Sequence, residues 1–327
     1  MPDKSREPLN IWAVSDGRAG IENQVRGLAE AIGRLTPARI TIKRIRYRKP
    51  FDALPNWLCF DAMLDAASDS LAPPYPDIWI AAGRATLRHS RRMRRLSGGK
   101  TLVVQLQDPN GGLDAFDMVI APAHDGLSGG NVLALTGSTN RITPEGLKAG
   151  VSEAMHAAIA ARPGPYAAVL IGGKSRAYDL SPARARDMAE NIRRAAEASG
   201  GTLLLTFSRR TPDDARTIIS EVLGDVPAMI YDGRGENPYF TFLDAADHIL
   251  VTEDSVNMAT EAAATGKPVY VLAMDARRLA GKFTRFHEAL AARGVSRPFE
   301  GRLESWSYEP LRETERAAKA VLERAKR

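Results

Sequence analysis

Three stretches in the second half of the chain set glycine, hydroxyl, carboxylate and cationic side chains at the ends of apolar runs. Gly172, Gly173, Lys174 and Ser175 follow the run from Ala167 to Ile171. Glycines let backbone N–H groups approach an anion closely, and Lys174 adds a cation, so this turn suits a pyrophosphate. Its spacing is neither that of the phosphate-binding glycine-lysine-serine loop nor that of the dinucleotide-binding glycine motif. Ser208, Arg209 and Arg210 follow the run from Thr202 to Thr206 and precede a helix start at Thr211 and Pro212. Adjacent arginines beside hydroxyls suit a diphosphate, and a surface pair with Asp213 or Asp214 is the alternative for one of them. The third stretch, residues 247–272, reads DHILVTEDSVNMATEAAATGKPVYVL. Asp254 and Ser255 stand where a strand passes into a helix, so Ser255 either caps that helix or holds a phosphate with its N–H groups. Glu261, nearly two turns further on, either reaches ribose hydroxyls or stays solvated.

The first half carries groups suited to proton transfer. An apolar run ends in Ser15, Asp16, Gly17, Arg18, Ala19 and Gly20, before a helix whose first turns hold Glu22, Asn23 and Gln24. Gly17 and Gly20 let backbone N–H groups approach an anion at the positive end of that helix, beside Arg18 and Gln24, with an ordinary tight turn as the alternative. An acid beside an anion site opposes phosphate, so Asp16 is better suited to accept a proton or a substrate hydroxyl. Gln105, Gln107 and Asp108 end a second run, His124 and Asp125 a third, and Thr136 with Gly137 a fourth. Asp16, Asp108 and His124 are the candidate bases, their pKa values being tunable by burial; His124 reads equally as a capping or core histidine.

Other chemistry is excluded or disfavoured. The one cysteine, Cys59, forms no internal disulfide or cysteine cluster and reads as a small apolar helix residue. The histidines show no metal-ligand spacing and no Asp-x-Asp motif closes a strand, so no metal is expected. Aromatics make up 6% and few interleave with the basic residues, which argues against nucleic acid. No apolar run reaches the ~20 residues of a membrane span. The charged start, MPDKSREPLN, leaves no room for a signal-peptide core, and the expectation is a cytoplasmic protein.

The 327 residues suit two domains of ordinary size. Strand-like runs at 9–14, 40–45, 78–82, 101–106, 118–121 and 132–135 alternate with helical segments at about 20–34, 56–68 and 84–96. After a linking helix near 144–161 and the breaker Arg162-Pro163-Gly164-Pro165, the pattern restarts. Strands follow at 167–171, 202–206, 228–231, 248–251 and 268–272, with helices at about 182–198, 212–222, 238–244, 255–265 and 279–292. The expectation is α/β: two doubly wound Rossmann-like domains, 1–162 and 163–327, facing a cleft, with a helix from about 309 to 326 crossing back to the first.

The stretch at 247–272 resembles the donor-binding region of B-type glycosyltransferases and sugar-nucleotide 2-epimerases. In that pattern Glu261 holds the donor ribose and the turn at Ser255 meets the diphosphate. Seven strings in order resemble the mitochondrial fission, elongated-mitochondria-like family: SDGRAGIENQ at 15–24, VQLQDP at 104–109, APAHD at 121–125, IGGKS at 171–175, FSRRTP at 207–212, ENPYF at 236–240 and TEDSVNMATEAAATGKPV at 252–269. The resemblance implies a B-type glycosyltransferase fold and a nucleotide-diphosphate sugar as substrate, with no further cofactor. The implied activity is metal-independent glycosyl transfer. The alternatives are a non-catalytic membrane-associated adaptor, or an epimerase or hydrolase of sugar nucleotides.

Net charge is +6 and its placement is uneven. Seven basic residues and no acid lie between Arg34 and Lys49, and again between Arg84 and Lys100. On a helix, Arg84, Arg88, Arg91, Arg92 and Arg95 gather on one face. The expectation is a patch for anionic headgroups or a lipid-linked acceptor at the inner face of a membrane, each cation adding ~1 kcal/mol; the alternative is a solvated arginine face.

Overall fold

The computed structural model describes residues 7–54 and 58–326. The described chain up to Arg141, joined by the residues from Arg312 on, forms one compact unit, and Ile142–Leu311 forms another. Ile142 and Leu147 bury among Leu243, Ala246 and Leu311 in the second unit, so the expected boundary at 162 and 163 falls inside that unit.

In the first unit β1 (Leu9–Ser15), α1 (Ala19–Leu35), β2 (Ala38–Arg44), β3 (Ile78–Ala82), α2 (Leu87–Leu96), β4 (Leu102–Leu106), β5 (Met118–Pro122) and β6 (Val132–Leu135) follow in order. The strands make one parallel sheet, ordered β2-β1-β3-β4-β5-β6. Both faces are covered, which is why the strands read as unbroken apolar runs. Along β1, Ile11 and Ala13 enter the core under α1, while Trp12 and Val14 enter the core under α2. Helix α1 buries Val25, Leu28, Ala29 and Ile32 at helical spacing.

The helix expected at 56–68 does not form. Its first two residues lie outside the described ones; from Cys59 to Ser68 no α-helix forms, and Asp61–Met63 make a 3-10 turn. The backbone here finds partners beyond β2 instead: Arg48 N donates to Met63 O, Asp65 N to Arg46 O and Asp69 N to Arg44 O. Cys59 is accordingly buried, but outside any helix.

The second unit contains α3 (Pro144–Ala149), α4 (Glu153–Ala160), β7 (Tyr166–Ile171), β8 (Tyr178–Asp179), α5 (Pro182–Ser199), β9 (Thr202–Phe207), α6 (Asp213–Val222), β10 (Ala228–Tyr231), α7 (Tyr239–Ala245), β11 (His248–Thr252), α8 (Val256–Thr265), β12 (Val269–Leu272), β13 (Asp275–Ala276), α9 (Gly281–Ala292) and β14 (Ser296–Pro298). The linking helix is thus two helices, capped separately by the hydroxyls of Thr143 and Ser152. The six-stranded sheet runs β10-β9-β7-β11-β12-β14, all parallel. Sequence reading missed β14 and the short antiparallel ribbon of β8 and β13, each too short to show a period.

The chain then returns to the first unit as α10 (Glu313–Ala325), which buries Ala317, Ala318 and Val321 with the α1 residues. Thr136 N donates to the Glu313 carboxylate and Asn140 N to Thr314 Oγ1, tying the helix start to the exit of β6. This helix crosses back as expected, and belongs to the first unit rather than to the second.

Candidate functional site

In the second sheet the strand order reverses between β7 and β11, and ligands of such sheets bind outside the carboxyl ends of the strands at that point. The candidate residues at 172–175, 208–210 and 252–255 all leave strands at this edge, of β7, β9 and β11.

The glycine turn is already engaged from within. Gly172 N donates to Thr252 Oγ1 at 2.7 Å, that hydroxyl donates to Asp254 Oδ1 at 2.7 Å, and Gly173 N donates to Asp254 Oδ2 at 3.1 Å. Arg210 Nη2 adds a contact of 2.8 Å to the same oxygen. Burial raises the Asp254 carboxyl above its ordinary value, and Arg210 pulls it back. Both glycines are required by contact: a Cβ on Gly172 would lie 1.9 Å from Asp254 Oδ1, and one on Gly173 would lie 2.1 Å from Arg210 O. The Thr252 hydroxyl and the Asp254 carboxylate therefore hold the place at these amides that sequence reading assigned to a diphosphate, and Arg210 partners Asp254 rather than Asp213 or Asp214.

The remaining groups frame this knot. Ser175 Oγ accepts from Ala177 N and Tyr178 N, closing the turn before β8. Lys174 is exposed, 3.6 Å from Asp179. Ser208 Oγ accepts from Arg210 N, and Arg209 is exposed. Ser255 caps α8 by accepting from Met258 N at 3.3 Å. Lys267, from the Gly-Lys-Pro string, donates to the carbonyls of Leu243 and Asp244 and so caps α7.

Glu261 is buried on α8 rather than solvated. The Tyr239 hydroxyl, from the first residue of α7, donates to its Oε2 at 2.5 Å. Burial pushes Glu261 up to about 7, with the Tyr239 hydrogen bond acting the other way. Tyr239 itself is raised well above the phenol range by burial. Sequence reading quoted Tyr239 inside a string without giving it a role, and a separation of 22 positions hid the pair. It also passed over Glu253 and His287. The Glu253 carboxylate accepts from Met274 N at 2.6 Å, and its carbonyl accepts from His287 Nε2 at 2.9 Å, which leaves Nδ1 as the unprotonated nitrogen. Burial lowers His287 and raises Glu253.

In the first unit the order reverses between β1 and β3, and Asp16 leaves β1 there, with Oδ2 3.1 Å from the place a Cβ on Gly83 would take. Its carboxylate pairs with Arg18 at 2.6 Å, while its carbonyl accepts from Arg46, whose guanidinium fills the space over Gly17. Gly20 opens α1, and Gln24 one turn later is buried, its Oε1 accepting from Gln107 Nε2 at 3.1 Å. Gln107 holds a positive φ of 69°, a sparsely populated region for a side-chain-bearing residue. Asp108 accepts from Asn110 N in the following turn. His124 is buried, 3.9 Å from Asp125.

Arg84, in the 3-10 turn before α2, and the arginines of α2 serve mostly internal contacts. Arg84 donates to Asp52 O, Arg88 stacks 4.8 Å from the Phe60 ring centre, Arg91 donates to Gly111 O at 2.9 Å and Arg92 to both oxygens of Asp61 at 3.0 and 3.1 Å. Arg95 is exposed. Among the described residues no helix is long and apolar enough to cross a membrane.

Solved structures share this fold at low identity. The UDP-GlcNAc 2-epimerase of Methanocaldococcus jannaschii, in complex with UDP-GlcNAc and UDP, matches with a TM-score of 0.55 at 12% identity, over 97% of this chain and 99% of that one. The spinosyn forosaminyltransferase SpnP matches with a TM-score of 0.51 at 15% identity, over 98% and 90%. The architecture is thus that of B-type glycosyltransferases and sugar-nucleotide epimerases. Among sequences, the uncharacterized protein RP120 of Rickettsia prowazekii is 26% identical over 96% of this chain and 98% of its own length. The mitochondrial fission protein ELM1 of Arabidopsis thaliana is 34% identical over 75% of this chain, a match spanning 63% of that relative's length. The family model described as mitochondrial fission ELM1 matches residues 19–325, and the chain belongs to that family.

Proposed function

We propose that the second unit binds a nucleotide-diphosphate sugar and that the protein is a metal-independent glycosyltransferase, its acceptor lipid-linked or membrane-associated. The observation that carries the reading is Glu261. It is a buried carboxyl whose hydrogen-bond partner is a phenol rather than a cation, and it lies on the helix that starts at the switch point of the sheet. Ser255 lies ~9 Å before it along the axis of α8, a span that fits ribose at Glu261 and phosphate at the helix start. The positive end of α8, with Lys174 and Arg209, supplies the charge that meets the diphosphate as it leaves with the bonding electron pair. An acceptor hydroxyl attacks the anomeric carbon and passes its proton to a base. Of Asp16, Asp108 and His124, Asp16 is favoured by its place at the strand-order reversal.

A second reading is an adaptor that keeps the fold without turnover. It is favoured by Asp254 and Thr252, whose carboxylate and hydroxyl take the Gly173 and Gly172 amides of the turn. Thermal-shift and calorimetric titration with uridine, guanosine, cytidine and adenosine diphosphates and their sugar conjugates separates the two. Saturable binding of one nucleotide, weakened by Glu261→Ala, supports the donor site; folded protein that binds none of the panel leaves the adaptor.

A further inference from the structure

The Tyr239–Glu261 pair carries an inference that rests on the nucleotide reading of this site and goes beyond it. Two ribose hydroxyls are donors, so a carboxyl that takes both must present both oxygens as acceptors. A neutral carboxyl carries a hydrogen on one oxygen and cannot do so. We propose that Tyr239 is a positioning residue that orients the Glu261 carboxyl for ribose, and that binding of a nucleotide sugar here releases a proton from Glu261.

The surroundings isolate this group. Strands β11 and β12 turn Ile249, Val251 and Val269 towards the core shared with α8, and α9 turns Phe286 and Leu290. On β11 and β12, His248 and Tyr270 lie on the other face of the sheet with ring centres 6.4 Å apart, and the remaining titratable groups on elements packed against α8 are engaged elsewhere. Asp244 lies 3.8 Å from His156, Lys267 caps α7, His287 is held at Glu253 O, and the Tyr308 hydroxyl donates to Lys267 O at 2.8 Å. The charged residues of α9 at 282, 285 and 288 are exposed. Tyr239 alone of these reaches the Glu261 carboxyl, and burial pushes that carboxyl up to about 7.

The sign follows from linkage. A ligand that binds the carboxylate form lowers the pKa of Glu261, so affinity falls about tenfold per pH unit below the transition and levels off above it. Tyr239 pulls the carboxyl down, so Tyr239→Phe moves the midpoint to higher pH. A merely structural loss would weaken binding equally at every pH.

Calorimetry from pH 5.5 to 8.5 with nucleotide-sugar conjugates, which carry no terminal phosphate that titrates there, tests this in two buffers of different ionisation enthalpy. Release approaching one proton below the midpoint, a pH-flat response in Glu261→Gln and an upward midpoint in Tyr239→Phe are expected. Binding that is independent of pH and releases no proton overturns the inference and leaves the nucleotide site standing. Failure of the folded protein to bind any conjugate removes both. A readout free of ligand is the unfolding temperature of Glu261→Gln against wild type across the same range; a difference that does not change with pH overturns the assignment of a titrating Glu261.

Discussion

The amide of Gly173 donates to the buried carboxylate of Asp254 at 3.1 Å, joining two strand exits that lie 81 residues apart in the chain. This contact, made with Gly172 pressed against the same carboxylate, turns a glycine motif that reads as a ligand cradle into an internal lock. Because a Cβ on Gly172 has no space, Gly172→Ala is expected to destabilise the second unit by about 1–3 kcal/mol. Chemical denaturation measures it, and a loss below ~0.5 kcal/mol would show that Asp254 moves aside freely.

Arg210 offsets the cost of burying Asp254. Without it the carboxyl rises further, and an acid whose folded pKa lies above its unfolded value loses stability as pH rises through the folded value. Arg210→Ala is therefore expected to lower the unfolding temperature more at pH 8 than at pH 5. An equal loss at both would assign Arg210 a packing role only.

Glu261 gives the same sign in a deeper setting. Raised from 4.5 to about 7, it favours the folded state below pH 4.5 relative to its ionised form, and that advantage is lost as pH rises through 7. The shift corresponds to roughly 3 kcal/mol. Glu261→Gln removes the titration, so its unfolding temperature relative to wild type should climb between pH 5 and 8. A constant difference would refute this.

Glu22 behaves oppositely. Arg44 donates to its two oxygens at 2.6 and 2.8 Å and, as the leading cause, lowers its pKa. This contribution is present above the unfolded value and lost as pH falls. Glu22→Gln should cost up to ~1 kcal/mol at pH 7, since Arg44 is largely exposed, and less at pH 3. Paired denaturation curves at the two pH values decide it.

The last helix completes the first unit. Val321 is fully buried beside Ala317 and Ala318. An unpaired carboxylate there has no partner, so Val321→Asp is expected to cost at least ~3 kcal/mol. Hydrogen exchange should show the loss in β1 and α1, with β7 and β11 protected as before; loss in the second unit alone would contradict the assignment of α10.

Local periodicity carried much of the fold. The apolar runs that became β1, β3, β7 and β11 needed only to be strand-length and unbroken, because both faces of each sheet are covered. Helices α5 and α8 showed their apolar spacing directly, and Ser255 its place at a helix start. Glu261 and Asp254 were legible as unusual residues at a strand-to-helix passage. Their partners were not.

What the sequence determined by itself was which segments bury an apolar face and which polar residues stand at their ends, since both depend on neighbours within a few positions. Tertiary structure alone decided that Asp254 fills the glycine turn, that Tyr239 holds Glu261, that the stretch around Asp65 and Asp69 pairs beyond β2 instead of forming a helix, and that α10 joins the first unit. The reason is physical. A buried polar atom must find a partner, and burial brings together groups far apart in the chain, so the pairing follows from packing and not from spacing.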